Sequence, residues 1–142
     1  MTRLRLAVSQ YVVVTGANRI PLIIYLGATP NQQIIPTVKW AFDNLGQRFV
    51  LIGSDYIFPR TANEIIKQHV KVLGGTVTGE YYQPLGSKQF DEVIKKIKQI
   101  QPDVILNSIN GESNTYFYHA LRKADIQSTD IPVLSFSIAE DQ

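Results

Sequence analysis

Four short apolar runs, at 49–53, 76–82, 103–108 and 132–136, recur along the chain with a helix-period segment between consecutive runs. A β-α-β-α-β-α-β series of this kind is the pattern of a parallel sheet covered by helices. The fold class this predicts is α/β: a doubly wound, mostly parallel sheet forming a single Rossmann-like lobe. Parallel α/β sheets bind ligands beyond the carboxyl ends of their strands. The residues at those ends are therefore the ones to read for function.

Between the runs, apolar residues repeat every three to four positions. Ile34, Val38, Ala41, Phe42 and Leu45 share one face of a helix expected over 32–45. Pro36 fits only near the first turn of that helix, and Gly46 is a plausible stop. A second helix is expected over 59–73, with Ala62, Ile65, Ile66, His69, Val70 and Leu73 inward and Gly74-Gly75 ending it. A third, over 88–100, turns Phe90, Val93, Ile94, Ile97 and Ile100 inward, with Ser87 as its N-cap. A fourth, over 113–124, does the same with Phe117, Ala120, Leu121 and Ala124. Residues 21–26 read as a further strand. Residues 1–21 read as an irregular N-terminal segment, in which 11–14 has strand character and Thr15-Gly16-Ala17-Asn18 is a turn.

The 142 residues suffice for one domain with a real core. A net charge of +2 is too small to imply nucleic acid, and Lys95, Lys96 and Lys98, the one lysine cluster, read as a solvated helix face. The absence of cysteine removes disulfides, thiolate metal sites and thiol catalysis, and leaves the compartment open. Arg3 and Arg5 before Leu6-Ala7-Val8 hint at a signal peptide, but Ser9 and Gln10 interrupt the apolar stretch, so no clear one is read. No run approaches the roughly 20 apolar residues of a membrane span.

The strand ends carry hydroxyls, amides and aromatics. Residues 54–60 follow the first run, 83–87 the second, 107–113 the third and 135–140 the fourth. Each leads toward a helix N-terminus with free N–H donors. Tyr56 and Phe58 are placed to wall a pocket or to pack beneath their loop. Asp55 suits a ligand amine or amide, or a cap on the following helix, and Arg60 suits a pairing with Asp55, an acidic group or plain surface. Asn110 and Ser137 are neutral donors and acceptors that suit an uncharged polar ligand, while Asn110-Gly111 is also a turn signal. Enzyme readings fail on residue supply. His69 and His119 both fall in mid-helix, His69 as a satisfied packing residue, and no Ser-His-Asp set assembles from strand ends. No dinucleotide or phosphate-loop glycine pattern exists, so no cofactor is expected, and metal-ligand clusters are lacking.

Four segments then stand out together: Ala28-Thr29-Pro30-Asn31-Gln32-Gln33, Gly53-Ser54-Asp55-Tyr56-Ile57-Phe58-Pro59-Arg60, Asn107-Ser108-Ile109-Asn110-Gly111 and Ser135-Phe136-Ser137-Ile138-Ala139-Glu140. Over 22–142 they resemble the urea and short-chain-amide branch of the type I periplasmic binding proteins. That branch includes the substrate-binding component of urea ABC transporters and the amide-sensing regulator of amidase operons. The resemblance implies a lobe that matches the second of two, with ligand clamped between them. It also implies that Tyr56, Phe58, Asn110 and Ser137 face the cleft. Non-catalytic recognition of urea, a short-chain amide or an amino acid is then expected, in a periplasmic or extracellular setting; with no clear signal peptide, a cytoplasmic one stays open. The expected partners are the small polar solute, a first lobe that this sequence does not match, an ABC permease, and a second copy in a homo-oligomer. The alternatives are a sensor or dimerisation module of a regulatory system, and a truncated fragment without function.

Overall fold

Strand β3 (Arg48–Ser54) is buried along its whole length after Arg48, and the rest of the architecture is laid out on either side of it. A computed structural model describes residues 5–7, 23–25 and 32–137. In chain order these form β1 (Arg5–Ala7), β2 (Ile23–Tyr25), α1 (Ile34–Asn44), β3, α2 (Ile57–Leu73), β4 (Thr76–Gln83), α3 (Asp91–Ile100), β5 (Val104–Ser108), α4 (Ser113–Lys123) and β6 (Val133–Ser135). Strands β1 and β2 pair in parallel, with Arg5 opposite Ile23. Strands β3 to β6 form a four-stranded sheet in the order β4-β3-β5-β6, and every pairing in it is parallel. All four runs read from the sequence are strands of this sheet, so the α/β reading holds. The 11–14 segment lies outside the described residues.

Alternation along the inner strands sorts side chains to two faces. Phe49 and Leu51 of β3, with Val104 and Leu106 of β5, pack under α1 and α2 through Val38, Ala41, Ile66 and Val70. Val50, Ile52 and Ile105 point the other way and pack under α3 and α4 through Val93, Ile97, Phe117 and Leu121. Strands covered on both faces read as unbroken apolar runs, which is why β3 and β5 are conspicuous in the sequence. Phe90 meets Phe117 edge to face, with ring centroids 5.6 Å apart, and so locks α3 to α4. Edge strand β4 is only half-buried and polar. Its pairing with β3 slips between Phe49 and Val50, where the Thr78 hydroxyl donates to the Phe49 carbonyl at 3.0 Å.

Helix boundaries moved where side-chain chemistry competed with periodicity. Helix α3 starts at Asp91 rather than 88. Ser87 does not cap it: its hydroxyl accepts from Gln89 N within a turn that Ser87 N and the Pro84 carbonyl close. Asp91 and Glu92 instead place negative charge in the first turn, where the helix dipole favours it. Helix α2 starts two residues early, at Ile57, which leaves Pro59 inside the first turn, where a missing N–H costs nothing. Gly74 closes α2 with φ of 90°, a conformation a side chain resists. At the amino edge of the sheet, Asp103 Oδ2 accepts from the N–H groups of Gln47 and Arg48, while the Arg48 guanidinium donates to the Ile100 and Gln101 carbonyls. Lys95, Lys96 and Lys98 are exposed, as expected. His69 is half-buried on α2, and its Nε2 has no hydrogen-bond partner among the described residues.

Gly53 marks the closest approach at the carboxyl edge. A Cβ there would lie 2.6 Å from Ser108 Oγ and 2.8 Å from Pro59 Cβ. Gly53→Ala is therefore expected to destabilise the fold by about 1–3 kcal/mol through overpacking, whereas exposed Lys95→Ala stays within about 0.5 kcal/mol. Urea melts of the two variants check this, and equal midpoints would contradict it.

Candidate functional site

The strand order reverses beside β3. The chain leaves β3 into α2 on one face of the sheet, and leaves β5 into α4 on the other. Two adjacent strands whose exits diverge leave a crevice at their carboxyl ends, the usual ligand position in open parallel sheets. The residues at that crevice come from 54–58 and 107–111.

These two loops are stitched together. Ser54 Oγ accepts from Asn110 N at 3.0 Å, and Asn110 Nδ2 donates to the Tyr56 hydroxyl at 2.6 Å. Beneath them lies a buried amide pair. Asn107 Nδ2 donates to Asn114 Oδ1 at 2.9 Å, and Asn107 Oδ1 accepts from Ile109 N at 2.8 Å. Asn114 Nδ2 donates to the Ile109 carbonyl at 2.7 Å. This pair ties the end of β5 to the first turn of α4 and shapes the 107–114 bend. Buried amides are tolerable because nearly every donor and acceptor finds a partner. Ser54, Asn107 and Asn114 were not among the expected site residues. The available signal was polar side chains at the end of an otherwise apolar run.

Of the expected residues, Tyr56 and Asn110 are in direct contact. Both are half-buried. Phe58, also half-buried, lies in the first turn of α2 on the same edge. Ser137 follows β6, one strand beyond β5. Its neighbour Phe136 is tied in by an N–H bond to the Asn107 carbonyl at 2.9 Å and by Gln33 Nε2 at 3.1 Å from its carbonyl. Asp55 does not cap α2, whose N-cap position is Tyr56. Its Oδ1 instead accepts from Arg60, at 2.8 Å from Nε and 2.7 Å from the terminal nitrogen. A fork of two N–H groups on one carboxylate outcompetes a single backbone donor.

Arg60 also stacks on the Tyr82 ring, 4.3 Å from its centroid. From there polar contacts run down the outside of β4. The Tyr82 hydroxyl accepts from Asn63 Nδ2 at 3.0 Å and donates to Glu80, and Lys67 bridges Glu80 at 2.9 Å and Glu64 at 2.6 Å. Burial and the bond to Glu80 push the Tyr82 phenol up to about 12. Burial works against ionised Glu80, but its bonds from Tyr82 and Lys67 outweigh it and hold the carboxyl below its usual range. Hydrogen bonds from Glu64 and Glu80 hold the Lys67 ammonium protonated well beyond its ordinary range. This chain braces the loop that carries Tyr56 against α2 and β4.

A cavity of about 380 Å³ opens next to the crevice along α4, lined by Gly111, Asn114, Thr115, Tyr118 and His119 among others. Tyr56 and Phe58 are not part of its lining. Among the described residues, no group of three or more His, Cys, Asp or Glu side chains is arranged to hold a metal ion. No described helix is long and apolar enough to cross a membrane.

A parallel lobe with a crevice at its switch point defines the class. Residues 11–142 match the periplasmic binding protein domain, and the chain belongs to that family. The lobe is similar to a solute-binding protein of an ABC transporter from R. palustris in complex with 4-hydroxybenzoate, with a TM-score of 0.72 and 22% identity over 81% of this chain and 32% of that one. It is also similar to an amino acid ABC transporter substrate-binding protein from Pseudomonas fluorescens Pf-5, at a TM-score of 0.69 and 17% identity over 91% of this chain and 35% of that one. An ABC transporter substrate-binding protein from Sphaerobacter thermophilus gives a TM-score of 0.71 and 20% identity, covering 91% of this chain and 36% of that one. The chain thus spans about a third of the length of the solved structures it matches.

The Tyr82 brace has a pH signature. A phenol whose pKa is about 12 in the folded chain, against an ordinary 10.0, contributes stability that is whole below pH 10 and lost as pH rises toward 12. Tyr82→Phe is expected to be less stable than the parent at neutral pH and to show a shallower fall in stability between those two values. Denaturant melts across that window check the sign, and parallel curves would contradict it.

Proposed function

We propose that this lobe forms one wall of the cleft of an ABC-transporter solute-binding protein, and that the wall takes a small uncharged polar solute of the urea or short-chain-amide class. The observation that supports this best is the bond between Asn110 and Tyr56 across the switch-point crevice. It presents a carboxamide and a phenol, both neutral and each able to donate and accept, which match the donors and acceptors of an amide. Phe58 and Ser137 extend the wall on the same edge. The charges nearest the site are spent on each other, since Asp55 holds Arg60. A carboxylate such as that of 4-hydroxybenzoate would need a cation that this wall does not offer among its described residues. On this reading the chain works in the periplasm with a first lobe and a permease, and performs no chemistry on its solute.

The half-site has a quantitative consequence. Four non-hydrogen atoms at the best efficiency of about 1.5 kcal/mol each give roughly 6 kcal/mol with every contact made. One wall supplying half of that leaves ~3 kcal/mol, which is weaker than millimolar. Titration calorimetry of the isolated chain is thus expected to detect neither urea nor acetamide. Ile57 at the start of α2 and Leu85 in the loop after β4, both exposed at this edge, should favour self-association, read as a mass above the monomer by light scattering. Rebuilt with a first lobe from a urea receptor, the protein should bind urea or acetamide. Tyr56→Ala should then weaken binding about tenfold, the loss of one good hydrogen bond. Lys96→Ala should leave it unchanged. Micromolar binding by the isolated monomer, or a rebuilt protein that prefers benzoate or leucine, would overturn the reading.

A further inference from the structure

Asn110-Gly111 is the one Asn-Gly pair in the chain. With no Cβ on Gly111, its backbone nitrogen approaches the Asn110 carboxamide with little hindrance. Gly111 sits exposed in the bend, with φ of +65°. It lies one residue before Glu112, the N-cap of α4, whose positive amino end favours nearby negative charge, both on a carboxamide under attack and on a carboxylate product. These features dispose Asn110 to deamidation. The Gly111 nitrogen forms a bond to Asn110 Cγ and gives up its proton, the Cγ–Nδ2 bond breaks, and ammonia leaves. Solvent water then opens the cyclic imide at either carbonyl, which yields aspartate or isoaspartate. No oxidant or other reactant is required.

The same loop holds the carboxamide back. Asn110 Nδ2 donates to the Tyr56 hydroxyl at 2.6 Å and toward the Ser108 carbonyl at 3.4 Å, and Asn110 N donates to Ser54 Oγ. A side chain tied at its nitrogen cannot swing Cγ onto the Gly111 nitrogen without first breaking the tie. We infer that Asn110-Gly111 is a site of spontaneous deamidation whose rate is set by the Tyr56 hydroxyl. The product exchanges a donor for a carboxylate that only accepts, so Tyr56 must turn to donate and the crevice gains a negative charge. The chemistry stands whether or not the solute proposed above is right. Only its effect on binding rests on that reading.

The test ages the purified chain in warm neutral buffer beside Tyr56→Phe, which keeps the ring, and Tyr56→Met, a second variant without the hydroxyl. Lys95→Ala and a synthetic peptide of residues 107–114 serve as references. Peptide mass spectrometry follows the gain of about 1 Da at Asn110 that marks deamidation. The free peptide is expected to react fastest and the native chain slowest. Each Tyr56 variant that circular dichroism shows to be folded should react about fivefold faster than native, the factor an ordinary hydrogen bond contributes to an opening equilibrium. Lys95→Ala, an exposed change on α3 that leaves the Asn110 tie intact, should match native. Equal rates for native and Tyr56→Phe, or a native chain as fast as the peptide, would overturn the inference. Binding of urea plays no part in the readout, so failure of the solute reading leaves the result interpretable.

Discussion

Burial of β3 on both faces is the constraint from which the rest follows. Phe49 to Ser54 lie out of water, so their backbone N–H and C=O groups need partners on both sides, and β4 and β5 supply them in parallel. Parallel neighbours can be reached only by crossovers, and right-handed crossovers in opposite directions must use opposite faces. Helix α2 therefore covers one face on the way out to β4, and α3 and α4 cover the other on the way back. The reversal beside β3 is the inevitable product, and the crevice at its carboxyl end needs no dedicated feature to create it.

What the crevice does need is definition, and polar side chains provide it from below. Ser54, Asn107, Ser108 and Asn114 are buried, yet each has a hydrogen-bond partner. Such contacts add little net stability, because each replaces a bond to water. They do exclude alternatives, since moving either loop would leave buried donors and acceptors unmet. The Arg60–Tyr82–Glu80–Lys67 chain does the same on the outer side, in a setting exposed enough that its ion pairs position the loop more than they stabilise the fold. Hydrogen bonds hold the floor and flank, and the Tyr56–Asn110 pair above them is neutral.

Under the proposed function, what sets this edge apart from an anion site is its neutrality. Helix N-termini point at the crevice from α2 and α4, which by itself favours negative ligands. Asp55 answers the first locally, and Arg60 in turn answers Asp55. The exposed turn at Asn110-Gly111 is also where one covalent change would undo that balance, because the side chain that makes the wall neutral is chemically the least permanent one in it.

Much of this was legible in the chain. The inner strands were plain because burial on both faces demands continuous apolar residues, and the helices because one-sided burial demands a three-to-four-residue period. The boundaries of α2 and α3 were less so, since Ile57, Phe90 and Asp91 sit where capping, turn closure and dipole compete within a residue or two. Tyr56 and Asn110 could be placed at the carboxyl edge because any residue just past a parallel strand lies there. Their bond could not, nor the burial of Asn107 and Asn114, nor the stacking of Arg60 on Tyr82, although its pairing with Asp55 was an open reading. Those partners lie up to 54 residues apart, on loops from different strands. Sequence alone determined the layers and the chemistry available at the edge, because both depend on local periodicity and residue type. Tertiary structure decided which of those groups meet, because hydrogen-bond partners are set by strand order and register, which no local pattern encodes.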